Sequence, residues 1–261
     1  MFHPLKQQYK NNEKCKYCMS KSFLLIGGSS DIGLQLASLL LADGHQVTLL
    51  ARDASRVGAL VSEGAHLVEG DALDESTVQA AVNHASEQGE TGLSGMAHLV
   101  GSIALRPPHA TKLEDFESVL QTNLVSAFLG LKTAGKAMLK LGTGRMCFTS
   151  SVAGSYGLTN HEAIAAAKGG IEAMVRAAAS TYAQRGLRVN AVAPGLTETR
   201  LGATVLRSDA IREASVGMIP LKRINEPHEI AESIHWLLTK APDNMTGQIL
   251  HLDGGMSTLR G

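Results

Sequence analysis

Residues 22–33, SFLLIGGSSDIG, hold the most legible chemistry in this chain. An apolar run, Phe23-Leu24-Leu25-Ile26, is bounded by turn residues, as a strand buried on both faces would be. Gly27 and Gly28 follow at once, and glycine lets the backbone turn sharply and lets another group come close with no Cβ in the way. Ser29, Ser30 and Asp31 come next, and an amphipathic run opens at Ile32 and Gly33. A strand, a glycine turn and a helix N-terminus make an anion site, because free backbone N–H groups and the helix dipole point at one spot. Its natural ligand is a dinucleotide pyrophosphate. The same text also suits a tight strand-to-helix turn with no ligand. Cys15 and Cys18 form a CxxC pair, which is half of a zinc site, and Cys147 is the only other cysteine, so no metal centre is expected.

The elements that must position this turn follow an alternating pattern. Further strands are predicted at 45–52, 65–71, 96–100, 145–150, 187–192 and 248–252. Helical patterns fall at 54–62, 74–88, 113–141 and 161–184. Strands alternating with helices imply βαβ units and right-handed crossovers. The expected fold is therefore α/β: a three-layer Rossmann fold whose doubly wound, mostly parallel, seven-stranded sheet carries helices on both faces. No linker divides residues 19–261, which read as one domain. Residues 1–18 are polar, lysine-rich and aperiodic and are expected to be disordered, and Met19 offers an alternative start that opens directly into the first strand.

Composition narrows the function classes. The chain has 261 residues, 44% of them hydrophobic, enough for one sizeable core. Lysine and arginine equal aspartate and glutamate at 24 each, which gives no basic face for nucleic acid or an acidic membrane. No apolar run reaches membrane-spanning length. Three cysteines give no disulfide framework, and a reducing cytoplasm is the expected location.

With these pieces placed, the chain resembles the short-chain dehydrogenase/reductase family from about residue 20 to its end. Residues 26–33 lie on the family's TGxxxGIG motif, with Ile26 and Asp31 replacing the threonine and the middle glycine. Asp71 matches the acidic residue that contacts the adenine. His98-Leu99-Val100-Gly101 sits where the family has NNAG, and only Gly101 agrees. Asn123 matches the helix asparagine of the catalytic tetrad, Ser151 the serine and Lys168 the lysine. Asn190-Ala191-Val192-Ala193-Pro194-Gly195 matches the segment that borders the nicotinamide, with Thr197 just beyond, and Asp253-Gly254-Gly255 the C-terminal signature.

The resemblance implies hydride transfer between NAD(P) and a carbonyl, an alcohol or an activated C=C compound. It also exposes a gap. The family's tyrosine lies four positions before the lysine and thirteen after the serine, and both counts land on Ile164. Isoleucine has no titratable proton. Asn123 and Lys168 would still hold the nicotinamide ribose. Two residues are candidates for the missing acid. His161 lies seven positions before Lys168, the spacing at which related enoyl reductases carry their tyrosine, and Tyr156 lies in the loop after Ser151.

Ala51 and Arg52 end the second strand where NAD-preferring members carry an aspartate, so NADP(H) is favoured over NAD(H), although Asp53 follows directly. Residues 197–219 correspond to the family's mobile substrate lid, here mainly apolar. Runs of alanine at 165–167 and 177–179 permit close helix packing, and a homodimer or homotetramer is expected. Ile164 also leaves open a second reading, a non-catalytic dinucleotide-binding scaffold or sensor.

Overall fold

The computed structural model describes residues 20–259, so the expectations for residues 1–18 and for the CxxC pair lie outside the described residues. Seven strands pair in the order β3-β2-β1-β4-β5-β6-β7. They are β1 (Ser22–Ile26), β2 (Gln46–Ala51), β3 (His66–Glu69), β4 (Leu93–His98), β5 (Gly144–Thr149), β6 (Leu187–Pro194) and β7 (Ile249–Leu252). Every pairing is parallel, so "mostly parallel" becomes fully parallel. Because strand order reverses between β1 and β4, the crevice beyond their carboxyl ends is the natural ligand position of such a sheet.

Helices cover both faces, each through an apolar stripe. On one side Leu36 and Leu40 of α1 (Asp31–Ala42), Leu60 of α2 (Gly58–Ser62) and Ile230, Ile234 and Leu238 of α9 (Pro227–Thr239) share a buried cluster with Leu25, Leu49 and Ala97. On the other, Val78 and Val82 of α3 (Glu75–Gln88), Leu131 and Met138 of α5 (Ser126–Leu141) and Ile171 and Val175 of α6 (Glu162–Tyr182) pack on Leu24, Ile26, Met96 and Phe148. The shorter helices are α4 (Leu113–Leu120), α7 (Arg200–Ala203) and α8 (Asp209–Gly217).

Several expected boundaries move. The fourth strand starts at Leu93, not 96, because Ser94 and Gly95 break the apolar run; at Gly95 an added Cβ would sit 2.7 Å from the Phe23 ring, so glycine is what lets β4 pack on β1. The third strand is only four residues long, and the sixth continues to Pro194. Residues 54–62 divide into a 3₁₀ turn and α2. The long helix at 113–141 is broken by a π-turn at Gln121–Val125, the stretch that carries Asn123. Helix α9 was not expected at all, although Glu226 and Glu229 form a capping box around Pro227 at its first turn.

Gly33 shows how little room the first turn leaves. A Cβ there would lie 2.7 Å from the Gly28 carbonyl oxygen and 2.9 Å from that of Gly27. Gly33→Ala should lower stability by roughly 1–3 kcal/mol through overpacking, read as a fall in the thermal midpoint. An unchanged midpoint would mean the turn can shift freely.

Candidate active site

Because the sheet is parallel, the carboxyl ends of all its strands share one edge, and the expected site residues gather there. After β1 the chain turns at Gly27, whose φ of 86° is left-handed. Its N–H and that of Gly28 donate to the Leu50 carbonyl at 2.8 and 3.1 Å, tying the turn to β2. Ser30 caps α1 by accepting from the Gly33 N–H at 3.1 Å. Asp31 is the first helical residue. Its carboxylate accepts from Arg56 at 2.6 Å and from the Arg200 N–H at 2.8 Å. Arg56 also donates to the carbonyl oxygen of Ser29. Burial pushes the Asp31 pKa up, but these donors outweigh it and hold the group below the usual carboxylate range. Ile32 packs into the core beneath the turn.

The crowding at Gly27, Gly28 and Gly33 and the free first-turn amides of α1 fit a pyrophosphate. Arg52, at the end of β2, is 75% exposed and stands 3.9 Å from Asp71. Its guanidinium is available to an incoming anion. Asp71 accepts from the Leu73 N–H at 2.9 Å just beyond β3.

Three polar groups lie near the ends of β4 and β5, Asn123 and Lys168 buried and Ser151 half-buried. Asn123 is fully buried in the π-turn, where its amide donates to the Val119 carbonyl at 2.9 Å and to the Ser102 hydroxyl at 3.0 Å. The wider π-turn displaces the backbone bonding pattern, and the side chain supplies a partner in its place. Lys168 reaches across from α6 and donates to the Thr149 carbonyl at 2.7 Å. A Cβ on Gly101 would lie 3.1 Å from Asn123 Oδ1 and 3.6 Å from Lys168 Nζ, so Gly101, Asn123 and Lys168 share one small space. Ser151 follows β5 and caps the 3₁₀ turn Val152–Gly154, accepting from the Ala153 N–H at 3.2 Å. Its own hydroxyl proton goes to none of the described residues. On the far side, Pro194 ends β6, and Gly195 is held so close to Asp253 that a Cβ would sit 2.9 Å from its Cα. Thr197 is buried and donates to the Gly195 carbonyl at 3.0 Å.

Ile164, one turn before Lys168, is 3% exposed and packs with Val119, Ala153, Ala163 and Ala167. His161 precedes α6 as its N-terminal cap, and its ring donates to the Thr159 carbonyl at 2.8 Å. Tyr156 is 42% exposed.

A sequence profile described as enoyl-(acyl carrier protein) reductase matches residues 27–257. The chain belongs to the short-chain dehydrogenase/reductase family. It is 32% identical over 246 residues to 3-oxoacyl-[acyl-carrier-protein] reductase MabA of Mycobacterium tuberculosis, covering 91% of this chain and 93% of that one. It is 31% identical over 223 residues to inactive 2-(S)-hydroxypropyl-CoM dehydrogenase 2 of Xanthobacter autotrophicus, covering 83% and 96%. The solved structure of ElxO with NADP bound superposes with a TM-score of 0.85 at 25% identity, over 92% of this chain and all of that one. The family is one of oxidoreductases, and the seven-stranded parallel sheet is the fold these structures share.

Within this family member one functional-site neighbour escaped the sequence reading. Glu172, one turn after Lys168, has a side chain only 6% exposed. Its carboxylate accepts from Ser150 at 2.8 Å and from Ser155 at 3.0 Å, the residues on either side of the Ser151 turn. Gly154 makes room for it, since a Cβ there would lie 2.7 Å from Oε1. The signal was a carboxylate four residues after Lys168 on the buried face of α6.

Burial disfavours the Lys168 ammonium and brings its pKa down from 10.5 to about 8. The unfolded chain therefore holds this proton to higher pH than the folded protein does. Stability contributed at this position is lowest below pH 8 and rises as pH climbs from about 8 to 10.5. Lys168→Met should remove that rise, which is worth on the order of 3 kcal/mol. Urea unfolding of both proteins at pH 7.5 and 10 measures it, and equal pH slopes would contradict the burial argument.

Proposed function

We propose that the chain is an NADP-dependent oxidoreductase that moves hydride between its cofactor and a carbonyl, alcohol or activated C=C substrate, with an altered proton-donor site. The observation that carries this reading is the small space shared by Gly101, Asn123 and Lys168, with Ser151 retained after β5. The altered donor site is read from Ile164, an apolar side chain four residues before Lys168, buried among Val119, Ala153, Ala163 and Ala167. In this position most family members would hold a tyrosine. When bound, the nicotinamide supplies the hydride. Lys168 and Asn123 hold the nicotinamide ribose, Gly101 leaves the space for it, and the first turn of α1 holds the pyrophosphate. Ser151 donates its uncommitted hydroxyl to the substrate oxygen. His161 and Tyr156 are the candidates for proton donor. The exposed Phe128 on α5 and the exposed alanines of α6 form the surface through which two copies would pair.

A second reading, a dinucleotide-binding scaffold or sensor, draws on the same isoleucine and on the similarity to a dehydrogenase that is named inactive. Substitution separates the two. Loss of a placed general acid typically lowers a rate by about 10²–10⁴. Ile164→Tyr should therefore create or raise ketone reduction by on the order of 10²-fold, because Lys168 stabilises the new phenolate and Ser151 orients the carbonyl. NADPH oxidation over a panel of ketones and enones is the measurement. A wild type inert throughout with an active Ile164→Tyr supports the scaffold. An active wild type that His161→Ala abolishes supports a relocated acid. An inert Ile164→Tyr that still folds and binds NADPH removes Ser151 and Lys168 from the reaction.

Cofactor choice is tested separately. Among the described residues Arg52 has only a long, exposed ion pair with Asp71 at 3.9 Å and can pair with a 2′-phosphate. NADPH should bind at least roughly ten-fold tighter than NADH by calorimetry, and Arg52→Ala should erase the difference. Equal affinities in the wild type would exclude the assignment.

A further inference from the structure

The segment that follows Thr197 is held unlike the rest of the molecule. Helix α8 contains no buried residue, and α7 buries only Gly202. Within residues 197–226 Arg212 pairs with Glu198 and the Glu198 N–H donates to the Asn225 carbonyl, while Asn225 ties the end of the segment to the carbonyls of Leu196 and Leu252. An open cleft of about 430 Å³ separates them from α1, lined by Leu34 and Gln35 on one side and Glu198, Thr199 and Ala203 on the other.

One side chain crosses that cleft. Among the described residues, Asp31 makes every hydrogen bond and ion pair that joins residues 199–218 to a residue outside 197–226. It accepts from the Arg200 N–H at 2.8 Å, at the first residue of α7, and lies 4.0 Å from Arg200 Nε. Its second oxygen is fixed by Arg56 at 2.6 Å, and Arg56 in turn holds the carbonyl of Ser29 inside the glycine turn. The carboxylate sits at the first position of α1, beside the amides that take the cofactor phosphate. A glycine at this position, as the family motif has, could make none of these bonds.

We propose that Asp31 is a positioning residue that fastens the substrate lid to the cofactor turn. The idea rests on the proposed function only for reading residues 197–219 as the substrate lid. The turn, Arg56 and Asp31 are bonded into one bracket, and α7 hangs from it by a charge-assisted bond. A cofactor that orders the glycine turn thereby orders the lid, and a closed lid steadies the turn.

Limited trypsin digestion reads the latch directly, since Arg207 is exposed in the lid and Arg185 is exposed far from it. Mass spectrometry follows cleavage after each, and their ratio cancels any global loss of stability. In the protein without cofactor, Asp31→Gly should raise the Arg207 to Arg185 ratio on the order of ten-fold, since cleavage tracks local opening. Asp31→Asn keeps an acceptor for the Arg200 N–H and should raise it less. Arg56→Ala, which releases the second oxygen, should also raise it. NADPH should slow lid cleavage in the wild type and should no longer do so in Asp31→Gly. An unchanged ratio in Asp31→Gly and Asp31→Asn overturns the latch, and Asp31→Asn alone decides if the glycine variant does not fold. NADPH protection that persists undiminished in Asp31→Gly overturns the coupling. A wild type that binds no NADPH counts against the oxidoreductase reading, while the cofactor-free ratio still decides the latch.

Discussion

The turn between β1 and α1 is wedged between its neighbours. A side chain on Gly27 would come within 3.0 Å of the backbone of Leu99 and Val100 after β4, and one on Gly28 within 2.9 Å of Leu49 on β2. The strands on either side of β1 thus close on the turn from both directions. That contact fixes where the sheet changes direction, which strand ends face the crevice, and which loops border it. Gly101, Asn123 and Lys168 then assemble on one side of the turn, while Arg52 and Asp71 lie on the other. The geometry is inexpensive in free energy because both flanking strands are also held by apolar clusters on the two faces of the sheet.

Parts of this were legible in the sequence for a simple reason. Buried parallel strands are mainly apolar runs, so β1, β2, β5 and β6 stand out, and Gly27 and Gly195 mark the turns after β1 and β6. Where another force set the boundary, the pattern failed. Ser94 and Gly95 hid the start of β4 because close packing on Phe23 required a missing side chain rather than an apolar one. The π-turn at Asn123 was invisible because helical periodicity continues across it. Helix α9 follows an irregular stretch, and the capping box of Glu226 and Glu229 is the one local sign of its start. Glu172 and Asp31 were harder. A charged residue in a sequence reads as solvated until the fold brings donors to it, and both find theirs on distant elements.

The polar groups at the crevice are satisfied mainly by backbone. Lys168 leans on the Thr149 carbonyl, Asn123 on that of Val119, Asp253 on the amides of Gly255 and Ser257. Backbone partners move with the sheet, so these side chains keep their positions whatever occupies the crevice. The apolar group around Ile164 sits one turn along α6 from this polar set. It adds no competing donor or acceptor on that face of α6.

Two halves of the site are therefore built by different physics. The cofactor side is bound by burial of large apolar surfaces and by crowded glycines, and such packing has few alternative arrangements. The lid side has almost nothing buried and depends on a handful of polar bonds, so its opening costs far less than unfolding the sheet. A rigid half preserves the position of whatever is bound to the glycine turn. A loosely held half can change its exposed residues with little effect on the core, since α8 buries none of its side chains. This separation explains why the turn after β1 stands out in the sequence, while the segment after Thr197 shows only its mainly apolar character. Its side chains are free of the constraints that make a sequence readable.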